Sequence, residues 1–150
     1  MTERWYEDFE VGASILTPAH TFCEAEITQF AGKFDPQPFH LDAQAAKASF
    51  YGGLIASGWH VGALVFSLFM QTKPFAVNAS LGSPGVEQLR WWLPVRPGDV
   101  IQAEVTVRTK RITRSNPDRG LIMLDWDVTN QHRERVMTFA SAQLVALRPL

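Results

Sequence analysis

The chain has 150 residues, 46% hydrophobic and 19% charged, with a formal net charge of −1. That length suits one domain, residues 1–150, able to bury roughly two-thirds of its unfolded surface. The near-zero charge gives no field toward nucleic acid or an anionic membrane, and the single cysteine, Cys23, excludes an internal disulfide and a multi-cysteine zinc site.

The segment Met1 to Glu10 is polar and acidic, unlike a signal or transit peptide. The longest apolar stretch, Val61 to Met70, is too short to span a bilayer. A cytoplasmic location is the expectation.

An extended segment is expected over Ser14 to Phe22. Glu24 to Gly32 places Ile27, Phe30 and Ala31 on one helical face. Next comes Asp35-Pro-Gln-Pro-Phe-His40-Leu-Asp42, where Pro36 and Pro38 bias the residue before each away from helix. This predicts a stiff loop carrying a carboxylate and an imidazole, a pair suited to proton transfer. The ordinary alternative is that Asp35 caps a turn and His40 bonds a backbone carbonyl.

Asp42 is the expected N-cap of Ala43 to Phe50, a run ended by Gly52-Gly53. Ser57 is the expected N-cap of a helix to Lys73, with Pro74 beyond it. This helix is apolar nearly all round, which predicts burial. Gly58 lies in its first turn, where free N–H groups can bind an oxyanion. Close packing of helix on sheet explains a glycine there equally well.

The second half alternates with period two. Val100 to Lys110 puts Ile101, Ala103, Val105 and Val107 on one face. Val86 to Leu93, Leu121 to Thr129 and Arg135 to Leu147 read as further strands, the last two joined by the polar turn Asn130 to Glu134. An antiparallel sheet and one apolar helix make an α+β architecture. Trp91 and Trp92 should point to opposite faces, one of them into the core. His60 reads as a core or helix-surface histidine, and His20 and His132 as solvated.

The run from Phe30 to Asp42, followed by Ala45-Ala46 and by Phe50-Tyr-Gly-Gly-Leu-Ile-Ala-Ser-Gly58, resembles the hydratase motif of the MaoC-like dehydratases. That family includes the (R)-specific enoyl-CoA hydratases. Arg90-Trp-Trp-Leu-Pro-Val-Arg-Pro-Gly-Asp99 resembles the family's strand and turn after the central helix. The resemblance implies a hot-dog fold, an antiparallel sheet wrapped round a long helix, in a homodimer or higher homo-oligomer with sites near the subunit interface.

It further implies that Asp35 and His40 are the catalytic pair and that the Gly58 N–H polarises a thioester carbonyl. Gln37, Ser57 and Trp59 take the neighbouring, substrate-binding positions. The implied partner is an acyl-CoA thioester, hydrated or dehydrated across C2–C3 with no metal or other cofactor, and with neither nucleic acid nor membrane involved. Arg111, Arg114 and Arg119 either meet the CoA phosphates or form a solvated basic loop.

Three departures stand out: Gln37 where the family often has Asn, Ser57-Gly58-Trp59 where it commonly has His-Gly-Met, and Phe66 beside Ser67 where it tends to have serine. A hot-dog thioesterase and a non-catalytic acyl-CoA-binding module are the alternatives. Thioesterases of that fold generally place an acid on the central helix, and Ser57 to Lys73 contains none.

Overall fold

Three long strands, β4 (Val100–Ile112), β5 (Arg119–Thr129) and β6 (Arg135–Ala146), pair antiparallel in sequence order. The computed structural model describes residues 3–150. Strand β1 (Ser14–Leu16) pairs outside β4 and β3 (Val86–Trp91) outside β6, giving the order β1-β4-β5-β6-β3; the short β2 (His20–Thr21) also pairs with β4. The alternation read from the sequence sets the faces. Ile101, Ala103, Val105 and Val107 are all buried, as are Ile122, Leu124, Trp126 and Val128 of β5.

These side chains pack against α4 (Gly58–Gln71), the central helix. Trp126 meets Phe69 edge-on with ring centroids 5.0 Å apart. Sheet and helix together form the expected α+β hot-dog. Among the described residues no helix is long and apolar enough to cross a membrane.

Helix α4 departs from the expected all-round burial. It buries His60, Val61, Val65, Leu68 and Phe69, but Trp59, Phe66 and Met70 are 61%, 41% and 41% exposed. The sheet of one chain curves round only one side of the helix, and a stripe of Trp59, Ala63, Phe66 and Met70, spaced three to four residues apart, stays open.

Two shorter helices also differ. Helix α1 (Glu24–Phe34) runs two residues beyond the expected Gly32 and ends on Asp35 as its C-cap. The proline segment contains a one-turn helix, α2 (Pro38–Leu41), with Pro38 at its first position. Proline fits there because its missing N–H would have no partner in a first turn anyway. Helix α3 (Ala43–Lys47) is capped as expected, Asp42 accepting from the Gln44 and Ala45 N–H groups at 2.7 and 3.1 Å. It stops before Phe50, which is 97% exposed.

Strand β3 ends at Trp91 and carries a bulge between Glu87 and Arg90, where Gln88 has φ +53°. Trp91 and Trp92 do face opposite ways, but neither enters the core, at 43% and 49% exposed. The Trp92 indole donates to Thr138 Oγ1 at 2.8 Å, whereas Trp91 lies across the start of α4.

Candidate active site

The turn from α1 into α2 brings Asp35 and His40 together. Asp35 is fixed by its N–H to the Ala31 carbonyl, and His40 by its own N–H to the Gln37 carbonyl, both at 2.9 Å. Across that turn His40 Nε2 lies 3.2 Å from Asp35 Oδ2, and both side chains are mostly buried. His40 Nδ1 is 2.7 Å from the Ile55 carbonyl. A carbonyl only accepts, so Nδ1 carries a proton and Nε2 is the nitrogen presented to the carboxylate.

Asp35 has two further donors. Ser57 Oγ donates to Oδ2 at 2.7 Å, and Gln37 Nε2 donates to Oδ1 at 2.6 Å. Burial pushes the Asp35 carboxyl up; the Ser57 and Gln37 hydrogen bonds and the neighbouring His40 outweigh it, holding the group below the usual carboxylate value. It therefore stays ionised at neutral pH.

Ser57 corrects an expectation. It occupies the N-cap position of α4, but its hydroxyl makes no capping bond and its side chain is fully buried. Its O–H is directed at Asp35, and its oxygen accepts from no N–H of the first turn. The residue expected at the substrate thus stands behind the carboxylate. The Gln37 amide also turns back onto Asp35.

Gly58 is the first residue of α4. Among the described residues no acceptor meets its N–H or that of Trp59, as the start of a helix dictates. A Cβ on Gly58 would lie 2.3 Å from the Trp91 indole. Close packing and an available N–H are therefore both properties of this one glycine. Asp35, Gln37, His40, Gly58, Trp59 and Trp91 line a single cleft of about 540 Å³.

The remaining candidates lie elsewhere. His60 is a core residue, 8% exposed, stacked on Phe30 at 4.7 Å with its Nδ1 unpartnered among the described residues. Burial depresses its pKa. His20, expected to be solvated, is half-buried with Nε2 3.0 Å from both Glu26 carboxylate oxygens. His132 is exposed in its turn, as expected.

Arg111, Arg114 and Arg119 sit at the β4–β5 hairpin, where Arg119 pairs with Asp118. The cleft lies near the other end of β4, and a strand of that length runs ~40 Å at ~3.3 Å per residue. None of the three lines the cleft. Phe66, at the position where the family tends to have serine, packs toward Trp126, and Ser67 is exposed. No group of three or more His, Cys, Asp or Glu side chains among the described residues could hold a metal ion.

Two contributors had no local sequence signal: the Ile55 carbonyl, a backbone atom, and Trp91, which reaches Gly58 only through the pairing of β3 with β6.

The sequence model described as "MaoC like domain" matches residues 8–121. Protein MaoC of Klebsiella aerogenes is 32% identical over 110 residues, which cover 73% of this chain but 32% of that protein. The chain thus spans about a third of that relative's length. Uncharacterized protein YdeM of Bacillus subtilis (strain 168) is 27% identical over 130 residues, covering 87% of this chain and 90% of that one. Among solved structures, a MaoC-like dehydratase from Rhodospirillum rubrum shares 38% identity with a TM-score of 0.88, covering 98% of this chain and 99% of that chain. R-hydratase PhaJ1 from Pseudomonas aeruginosa shares 25% identity with a TM-score of 0.77, covering 97% and 86%.

Proposed function

Because the chain belongs to the MaoC-like domain family, we propose that its cleft interconverts a trans-2-enoyl-CoA and the (R)-3-hydroxyacyl-CoA. One observation carries this reading. The Asp35–His40 pair, with Nε2 3.2 Å from the carboxylate, opens onto the same cleft as Gly58, whose N–H is free among the described residues. An acid/base pair facing an oxyanion donor is what addition of water to a conjugated thioester requires.

In hydration, a water held between Asp35 and His40 Nε2 loses a proton to the carboxylate as its oxygen bonds to C3. The C2–C3 π electrons move through C2 to the thioester oxygen, where the Gly58 N–H and the α4 dipole hold the developing charge. Collapse of that enolate draws a proton from the His40–Asp35 pair onto C2. One H and one OH have been added, and the pair returns to its starting protonation. Delivery of both from one side of the cleft gives a single stereochemistry.

Asp35, His40 and Gly58 are the catalytic groups, Gln37 and Ser57 hold the base, and Trp59 forms part of the acyl wall. The active unit is a homodimer of one-domain chains, the open stripe of α4 covered by the second copy.

The test is a panel of trans-2-enoyl-CoA esters, followed by loss of enoyl absorbance. Turnover supports the hydratase. Fast acyl-CoA hydrolysis with no hydration replaces it with a thioesterase, and acyl-CoA binding without either reaction replaces it with a binding module.

A further inference from the structure

The hydration chemistry leaves unassigned the aromatic wall of the same cleft. Trp91 lies directly over Gly58: a Cβ there would sit 2.3, 2.4 and 2.8 Å from three indole atoms. Trp59 meets that indole edge-on, with ring centroids 5.0 Å apart and planes at 82°. Phe39 and Tyr51 line the same cleft with their rings 5.1 Å apart. Trp59 is 61% exposed, a large ring held at the opening when the core would have buried it.

The position of the acyl group follows from the chemistry. The thioester oxygen must approach the Gly58 N–H to about 3 Å, and C3 must lie within hydrogen-bond reach of water on Asp35 and His40. The cleft that holds the group beyond C3 is walled by Trp59, Trp91, Phe39 and Tyr51. A 2-enoyl thioester is flat through conjugation, and a flat group stacks on an indole face, whereas a long alkyl chain gains no such match and loses rotamer freedom.

We propose that Trp59 and Trp91 form a specificity slot that selects a compact or flat 2-enoyl group, such as crotonyl or an aryl-acryloyl group, over long alkyl chains. This rests on the hydratase reading above. The experiment compares kcat/KM for crotonyl-, cinnamoyl- and trans-2-dodecenoyl-CoA in the wild-type protein and in Trp59→Leu. The wild type is expected to favour the first two by at least ~10-fold, and the variant to shrink that ratio by ~10-fold.

A wild-type preference for dodecenoyl-CoA overturns the proposal. So does an unchanged ratio in a Trp59→Leu protein with wild-type circular dichroism and Tm. The wild-type order alone decides the matter if the variant does not fold. If no thioester turns over, the hydratase reading fails separately, and quenching of tryptophan fluorescence still tests the slot. Tighter binding of butyryl- than of dodecanoyl-CoA then supports it, and the reverse order overturns it.

Discussion

Asp35 is surrounded by donors, and each has a separable effect. Ser57 and His40 approach Oδ2 while Gln37 approaches Oδ1, which leaves a free lone pair on Oδ1 for water. Asp35→Asn removes the base and His40→Ala its proton partner; each should lower kcat by at least ~10²-fold with circular dichroism unchanged. Near-wild-type turnover in either variant would remove that residue from the mechanism. Ser57→Ala tests the hydroxyl. Asp35 titrates below its unfolded value, so its ionised form contributes stability above the unfolded pKa, and that contribution is lost as pH falls through the folded pKa. Without the serine the carboxyl rises toward its ordinary value. The acid limb of the pH–rate profile should move to higher pH, and acid unfolding should begin at higher pH. A hydrogen bond to a charged group contributes about 1.5–3 kcal/mol, so the loss should be visible in a urea titration at neutral pH. A profile that does not move would reduce Ser57 to a packing residue.

At the scale of elements, the site exists where the α1–α2 turn meets the start of α4. The sequence made much of this legible, because the relevant signals were local. Alternation in Val100 to Lys110 named the buried face of β4, and Asp42 capped α3 as its type suggests. The one-turn helix α2 has a misleading local signal: two prolines argue against helix, although proline is well suited to a helix's first position. The role of Ser57 was hidden for another reason: its partner is 22 residues away, and N-cap propensity is a local rule that a buried carboxylate overrode. Trp91 over Gly58 is likewise a tertiary contact. It yields a double-mutant test. Gly58→Ala places a methyl group within 2.3 Å of a rigid indole, so it should lower both Tm and kcat. Adding Trp91→Ala should recover Tm by relieving the overlap while kcat stays low, because the displaced N–H and the lost acyl wall are not restored. Additive losses of Tm would show that the indole and the glycine do not share this contact.

For the whole molecule, the open side of α4 is the feature that a single chain does not account for. Trp59, Phe66 and Met70 form an apolar stripe, and Val86 of the edge strand β3 is 53% exposed as well. An edge strand with unpaired backbone groups beside an apolar stripe is a surface that another chain can extend and cover. Trp59 belongs both to the stripe and to the cleft, so covering the stripe also closes one wall of the site and excludes water from it. Assembly and activity should then fall together. Phe66 is 41% exposed and its ring lies 6.1 Å from Trp126, outside the catalytic cleft, so Phe66→Glu adds a charge to the stripe without altering Asp35, His40 or Gly58. Analytical ultracentrifugation should find the wild-type chain as a dimer and the variant shifted toward monomer, with specific activity that rises with protein concentration as the weakened dimer re-forms. A monomeric variant that keeps wild-type kcat/KM at every concentration would show that the second copy contributes nothing to the site.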